Sequence, residues 1–204
     1  MCIRDRAQSG DAKAQYELGR DYDSGQGITK DEAEAARWYR KAADQGLAIA
    51  QYDLGVEYDR GQGVPQDYAQ AAAWYRKAAD QGFADAQENL GVLYTWGKGV
   101  PQDDAQADAW YRKAADQGFA PAQYNLGLYY YDGQGVPQDY AEAYFWEDLA
   151  ASGKLEGVEN GTPDSNAAKM RDEAAAHLNR ELLTKAQERA RKWFEAHTSP
   201  AKAQ

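Results

Sequence analysis

Residues 47–82 read LAIAQYDLGVEYDRGQGVPQDYAQAAAWYRKAADQG, and slightly altered copies of this stretch lie 36 residues before it and 36 and 72 residues after it. The pair Leu54-Gly55 returns as Leu18-Gly19, Leu90-Gly91 and Leu126-Gly127, and Trp74 returns as Trp38, Trp110 and Trp146. A period of this length marks an array in which a supersecondary unit, too small to bury its own apolar face, stacks on copies of itself. Four units, 11–46, 47–82, 83–118 and 119–153, cover most of the 204 residues. Domain counting by length therefore gives way to one repeating architecture.

Each unit spells two helices. Ala50, Leu54, Gly55 and Tyr58 fall at i, i+4, i+5 and i+8 and share one face of a first helix, helix A. Gly61 and Gly63 can take the left-handed conformation that stops it, and Pro65 cannot continue it. Asp67 then stands three residues before Gln70, as Asp31, Asp103 and Asp139 stand before Glu34, Gln106 and Glu142, an acidic variant of the capping box that starts a second helix, B. Helix B presents Ala71, Trp74, Tyr75, Ala78 and Ala79 on one face and ends at Gly82. Gly55 in mid-helix costs about 1 kcal/mol against Ala, so its recurrence points to a neighbouring backbone packed against it.

These residues form the pattern A-x-x-x-L-G-x-x-Y-x-x-G-x-G-V-P-x-D-x-x-x-A-x-x-W-Y-x-K-A-A-x-x-G, which resembles the Sel-one-like repeats, relatives of the tetratricopeptide repeats, from Asp11 to about Gly153. The first unit departs from it with Ile28-Thr29 for Val-Pro, and the fourth ends one residue short at Gly153. The resemblance implies an all-α superhelix of antiparallel helix pairs with A helices lining the concave side. It also implies a scaffold or adaptor role of bacterial type. Cysteine-rich relatives described as binding or cleaving lactams keep a hydrolase as the rival reading, although the paired cysteines are missing here. A regulatory arm of a larger enzyme is a third.

The ends are read separately. Residues 1–6, MCIRDR, resemble the translated end of a sequencing adapter and are set outside the fold. Residues 7–10 align with Ala43-Asp44-Gln45-Gly46, the tail of a repeat, so upstream sequence is expected to be missing. Export to the periplasm or beyond is preferred over cytoplasmic residence on the family resemblance alone. Residues 154–164 read as a loop, 165–197 as two capping helices with a Leu182, Leu183, Ala186, Ala190, Trp193, Phe194 stripe, and 198–204 as a flexible tail.

With A helices lining a groove, the positions two before Leu and two, five and six after it face a partner. The candidates are Tyr52, Asp59, Arg60, Glu88, Val92, Trp96, Tyr124, Leu128, Tyr131 and Asp132. The early positions are charged and the late ones aromatic, which places the expected hot spot at Trp96, Tyr124, Leu128 and Tyr131, with Glu88 and Asp132 as polar partners. The competing reading is that the terminal cap covers these aromatics. A protein, a peptide or a cell-wall glycan fits such a surface.

The net charge of -10 argues against nucleic-acid binding, which needs a cationic face. Arg-Lys at 40/41, 76/77 and 112/113 reads as a solvated face balanced by Asp44, Asp80 and Asp116. No apolar run is long enough to span a membrane. The repeats hold no His or Cys for a metal or nucleophilic site, so neither cofactor nor metal is expected, and no catalytic residue is assigned.

Overall fold

The computed structural model describes residues 2–152 and 165–198. Among them are eleven α-helices and no strand. They divide into two units, Met1–Asp103 and Asp104–Gln204.

The first unit contains α1 (Ile3–Gln8), α2 (Ala12–Ser24), α3 (Glu32–Asp44), α4 (Ala48–Arg60), α5 (Tyr68–Asp80) and α6 (Ala84–Trp96). Here α2, α4 and α6 are A helices and α3 and α5 are B helices. The pairs run antiparallel: the amide of Asp31 at the start of α3 donates to the Tyr22 carbonyl near the end of α2 at 2.9 Å, while the Tyr16 and Tyr39 rings, further from this turn, lie 5.7 Å apart. The expected start signals are in place. Asp31 accepts from the Glu34 amide at 3.0 Å, and Asp67 from the amides of Ala69 and Gln70 at 2.9 and 3.0 Å. The stop signal is explicit at Gly61, whose φ of 72° lets its amide reach the Glu57 carbonyl at 2.8 Å.

The apolar stripe of α5 is buried along its length, from Ala71 through Trp74 and Tyr75 to Ala78 and Ala79. Fully burying one large apolar side chain stabilises by about 1.5–3 kcal/mol. Gly55 is indeed a point of close approach, but its neighbour is not backbone. The Tyr75 ring from the same repeat lies there, and a Cβ on Gly55 would sit 2.6 Å from its Cδ1.

Successive repeats are tied by buried glutamines. The Gln51 amide nitrogen donates to the Ala43 carbonyl of the preceding repeat at 3.1 Å, and Gln87 repeats the bond to Ala79 at 3.0 Å. Gln15 makes the same bond to Ala7 at 3.1 Å, so α1 takes the place that the end of a B helix takes elsewhere. Ile3, in the segment expected to lie outside the fold, packs with Ala7, Ala14 and Leu18.

The Arg-Lys pairs differ in part from the expected solvated face. Arg40 donates to the Tyr58 hydroxyl and lies over the Trp74 ring at 5.5 Å, and Arg76 donates to the Tyr94 hydroxyl. Lys41 and Lys77 cover Trp38 and Trp74 of their own helices at 3.7 and 3.6 Å. Half-buried Arg40 and Arg76 thus join repeats, while Lys41 and Lys77 stay exposed as expected and lie across the indoles, whose faces attract a cation.

The second unit contains α7 (Asp104–Asp116), α8 (Ala120–Asp132), α9 (Tyr140–Ser152), α10 (Ser165–Ala176) and α11 (Arg180–Thr198). Gln123 bonds to Ala115 at 3.1 Å and Arg112 donates to Tyr130, repeating the first unit's links. Glu147 stands where Tyr75 stands in the second repeat, and it fills the space beside Gly127. The two terminal helices pack on α9. Arg171 meets Asp148 at 3.4 Å, and Arg189 pairs with Glu142 and lies over the Phe145 ring at 3.9 Å. Asn179 caps α11 through the Leu182 amide at 2.9 Å. The α11 stripe is only partly used: Ala186 and Ala190 are buried, while Leu182 is 43% exposed. The expected loop at 154–164 and all but the first residue of the expected tail lie outside the described residues.

Candidate functional site

The first unit holds an open cavity of about 590 Å³ between α2 and α4. Its wall is charged. Glu17, Asp21 and Asp23 come from α2, Asp53 and Glu57 from α4, and Arg20 and Arg60 stand exposed at its rim. Tyr39 and Val56 supply apolar surface. The helical repeat explains the convergence: residues 53 and 57 are one turn apart on α4, as 17 and 21 are on α2, so two adjacent A helices bring four carboxylates to one wall.

Glu57 is the unusual member. It is only 5% exposed, and its Oε2 is buried without a hydrogen-bond partner. Burial pushes its carboxyl up to about 7, with Asp23, Glu32 and Asp53 adding to the shift and Arg60 opposing it. Burial likewise pushes Asp53 up to about 6, against the hydrogen bond from the Tyr16 hydroxyl and the charge of Arg20, with Asp23 and Asp85 adding. The nearby Lys30 ammonium is bridged to Glu32 at 3.0 Å. Arg20 lies over the Tyr16 ring at 6.0 Å. Among the described residues, neither rim arginine forms an ion pair with Asp53 or Glu57.

The expected groove residues divide. In the first unit Tyr52 is half-buried, packed at 5.9 Å on Tyr75 and 5.1 Å on Phe83, and Asp59 accepts from the Tyr75 hydroxyl at 3.4 Å. Of these ten Arg60 alone lines the cavity, but Arg20, Asp23, Ser24 and Val56, at the same groove positions two, five and six after the Leu, line it too. Glu88 and Val92 are half-buried on α6, and Trp96, at its end, is 70% exposed. In the second unit Tyr124 packs against Ala150, Ala151 and Ala167, and Tyr131 meets Tyr140 edge-on at 5.4 Å and the His177 ring at 6.0 Å. The cap thus engages these two rings. Leu128 is half-buried and Asp132 exposed.

Asp53 and Glu57 were not among the expected positions, yet the sequence carried a signal for them. Stepping by one repeat from Glu57 leads to Leu93 and Tyr129, which are 3% and 4% exposed. The slot is apolar in the later repeats, and an acid there is an exception to the packing rule. Among the described residues no group of three His, Cys, Asp or Glu could hold a metal ion, and no helix is long and apolar enough to cross a membrane.

Comparison with known proteins agrees with the helical periodicity. The model of the Sel1 repeat matches residues 12–47, 48–83, 84–119, 120–154 and 174–196. The last of these falls on α10 and α11, the helices expected as a cap. Among solved structures, the chain is similar to c5321, a protective antigen present in uropathogenic Escherichia coli strains displaying an SLR fold. The identity is 36% and the TM-score 0.84, over 96% of this chain and 40% of that one. The chain thus spans about two fifths of that protein's length. A Sel1 repeat protein from Oxalobacter formigenes is 31% identical with a TM-score of 0.74, over 99% of this chain and 76% of that one. The immunity protein Pa5087 from Pseudomonas aeruginosa shares the fold at 22% identity and a TM-score of 0.51, over 97% of this chain and 78% of that one. No curated protein matches the chain.

Proposed function

The chain belongs to the Sel1 repeat family, and from that premise we propose that it is a non-catalytic scaffold holding a peptide or protein partner on the A-helix face of its first unit. Repeats of this family generally serve as protein-interaction scaffolds. The single observation that carries the finer reading is the open cavity between α2 and α4, which the protein's own side chains leave unfilled. A core would have closed such a space with apolar groups, as Leu93 and Tyr129 do at the matching slots. Arg60 lines the cavity, and the exposed Trp96 adds an aromatic contact on the same unit. Tyr124 and Tyr131 are assigned to packing with the terminal helices instead.

A random peptide display library selected on the purified chain tests this reading. Enriched peptides are expected to lose binding to Trp96→Ala while the variant melts as the parent does. No enrichment over an unrelated helical protein would overturn it.

A further inference from the structure

Three positions of helix A change character between the first two repeats and the last two. Asp21 and Glu57 become Leu93 and Tyr129, Glu17 and Asp53 become Asn89 and Asn125, and Asp23 and Asp59 become Thr95 and Tyr131. Packing of the repeat does not require acids at these positions, since the later copies do without them. All of these acids on α2 and α4 except Asp59 line one cavity, and Glu57 leaves a buried carboxylate oxygen with no partner. The nearby cations do not resolve the deficit: Lys30 is bridged to Glu32, and Arg20 and Arg60 stay at the rim without an ion pair to Glu57. A buried carboxylate in that condition is stabilised by a proton or by an incoming cation.

We propose that the cavity between α2 and α4 is a receptor for a basic side chain of the partner, an arginine guanidinium held between Asp53 and Glu57. The proposal rests on the scaffold reading above and narrows it to a partner that presents an exposed arginine. A guanidinium fits better than an ammonium because its planar fork has five donors, enough to serve two or more carboxylates at once. The Tyr39 and Val56 surface in the lining accommodates the aliphatic stem, leaving the charge to the carboxylates. Both acids are held partly protonated near neutrality by burial, so guanidinium entry displaces a proton and binding strengthens with rising pH.

The test uses the display selection together with small probes. Selected peptides are expected to share an arginine at one position, and replacing it by citrulline, which keeps shape and removes charge, should weaken binding at least about tenfold, as should Glu57→Gln in the protein. Lysine at that position should bind more weakly than arginine. In a nuclear magnetic resonance titration, ethylguanidinium chloride should shift amides of α2 and α4, and sodium acetate should not. Selected peptides without an arginine preference, bound equally by Glu57→Gln, would overturn the proposal and leave the scaffold reading standing. Failure to select any peptide would remove the scaffold reading itself, while ethylguanidinium shifts on α2 and α4 would still identify the receptor. Agmatine or spermidine binding as tightly as the best peptide would also overturn the proposal, by making the cavity a site for free amines.

Discussion

Gly55 and Tyr75 face each other so closely that the missing Cβ of the glycine would come within 2.6 Å of Cδ1 and 2.7 Å of Cε1 of the ring. Tyr75 is fully buried and cannot retreat without moving α5. The glycine therefore opposes its own helix propensity, which would favour alanine by about 1 kcal/mol, in order to seat a ring. Gly55→Ala is expected to lower stability by about 1–3 kcal/mol through overpacking. Thermal melting checks it: a variant that melts at or above the parent's temperature would mean the ring shifts at no cost and the packing account is wrong.

The acid at the other side of the same helix is expected to weaken the fold for a different reason. Glu57 ionises at about 7 in the folded chain against an ordinary 4.5. Between those values the folded state keeps a proton that the unfolded state gives up, so stability falls as pH rises through that window and the deficit is complete above it. Its size is on the order of 3 kcal/mol. Glu57→Gln removes the buried charge and keeps the shape, so it should melt several degrees above the parent at pH 8 and close to it at pH 4.5. Equal melting of the two proteins at both pH values would show that Glu57 is hydrated rather than buried. Stability gained where binding is lost is what a functional acid in a folded repeat entails.

The helix pairs were legible because every copy of Leu-Gly, the Trp and the capping Asp repeats the same local instruction, and local signals that agree determine a local fold. The site was less so. Ranking positions by helical face selected Tyr52 and Tyr131, which point toward neighbouring rings, and overlooked Asp53 and Glu57, which lie beside Leu54 on the side that faces α2. Periodicity says which residues share a face, but not which faces the terminal helices will cover. Comparing unlike residues at equal register, Glu57 against Leu93 and Tyr129, would have found the cavity. Nothing in the apolar pattern of residues 165–197 says that α10 engages Tyr124 and Tyr131.

Two aromatic residues from the same expected hot spot should behave in opposite ways. Trp96 is 70% exposed, and Trp96→Ala is expected to change stability by no more than about 0.5 kcal/mol, the usual range for a surface position. Tyr131 stands edge-on to the stacked rings of Tyr140 and His177, so Tyr131→Ala should cost about 1–3 kcal/mol from lost burial and ring contact. Urea denaturation of both variants separates them. If Tyr131→Ala proved as harmless as Trp96→Ala, the ring would be free after all and would return to the list of partner contacts.

Coupling between repeats rests on Gln51, whose amide nitrogen bonds to Ala43 at 3.1 Å while its oxygen accepts from Gln81 at 2.7 Å. Gln51→Leu fills the same space but removes both bonds, leaving the Ala43 carbonyl with the Gly46 amide alone at 2.9 Å and the Gln81 amide with the Lys77 carbonyl at 3.3 Å. Each lost bond contributes about 0.5–1.5 kcal/mol, so the combined loss should exceed that of a surface change. Because the Ala43 bond crosses from one repeat to the next, the variant should also unfold less cooperatively, with a shallower urea transition, as nearest-neighbour coupling in a repeat array requires. Gln81→Leu removes the second bond and the longer contact of Gln81 with the Lys77 carbonyl but keeps the link of Gln51 to Ala43, and should cost less. A Gln51→Leu protein with the parent's midpoint and slope would show that the glutamine ladder follows the stacking of helices and does not enforce it.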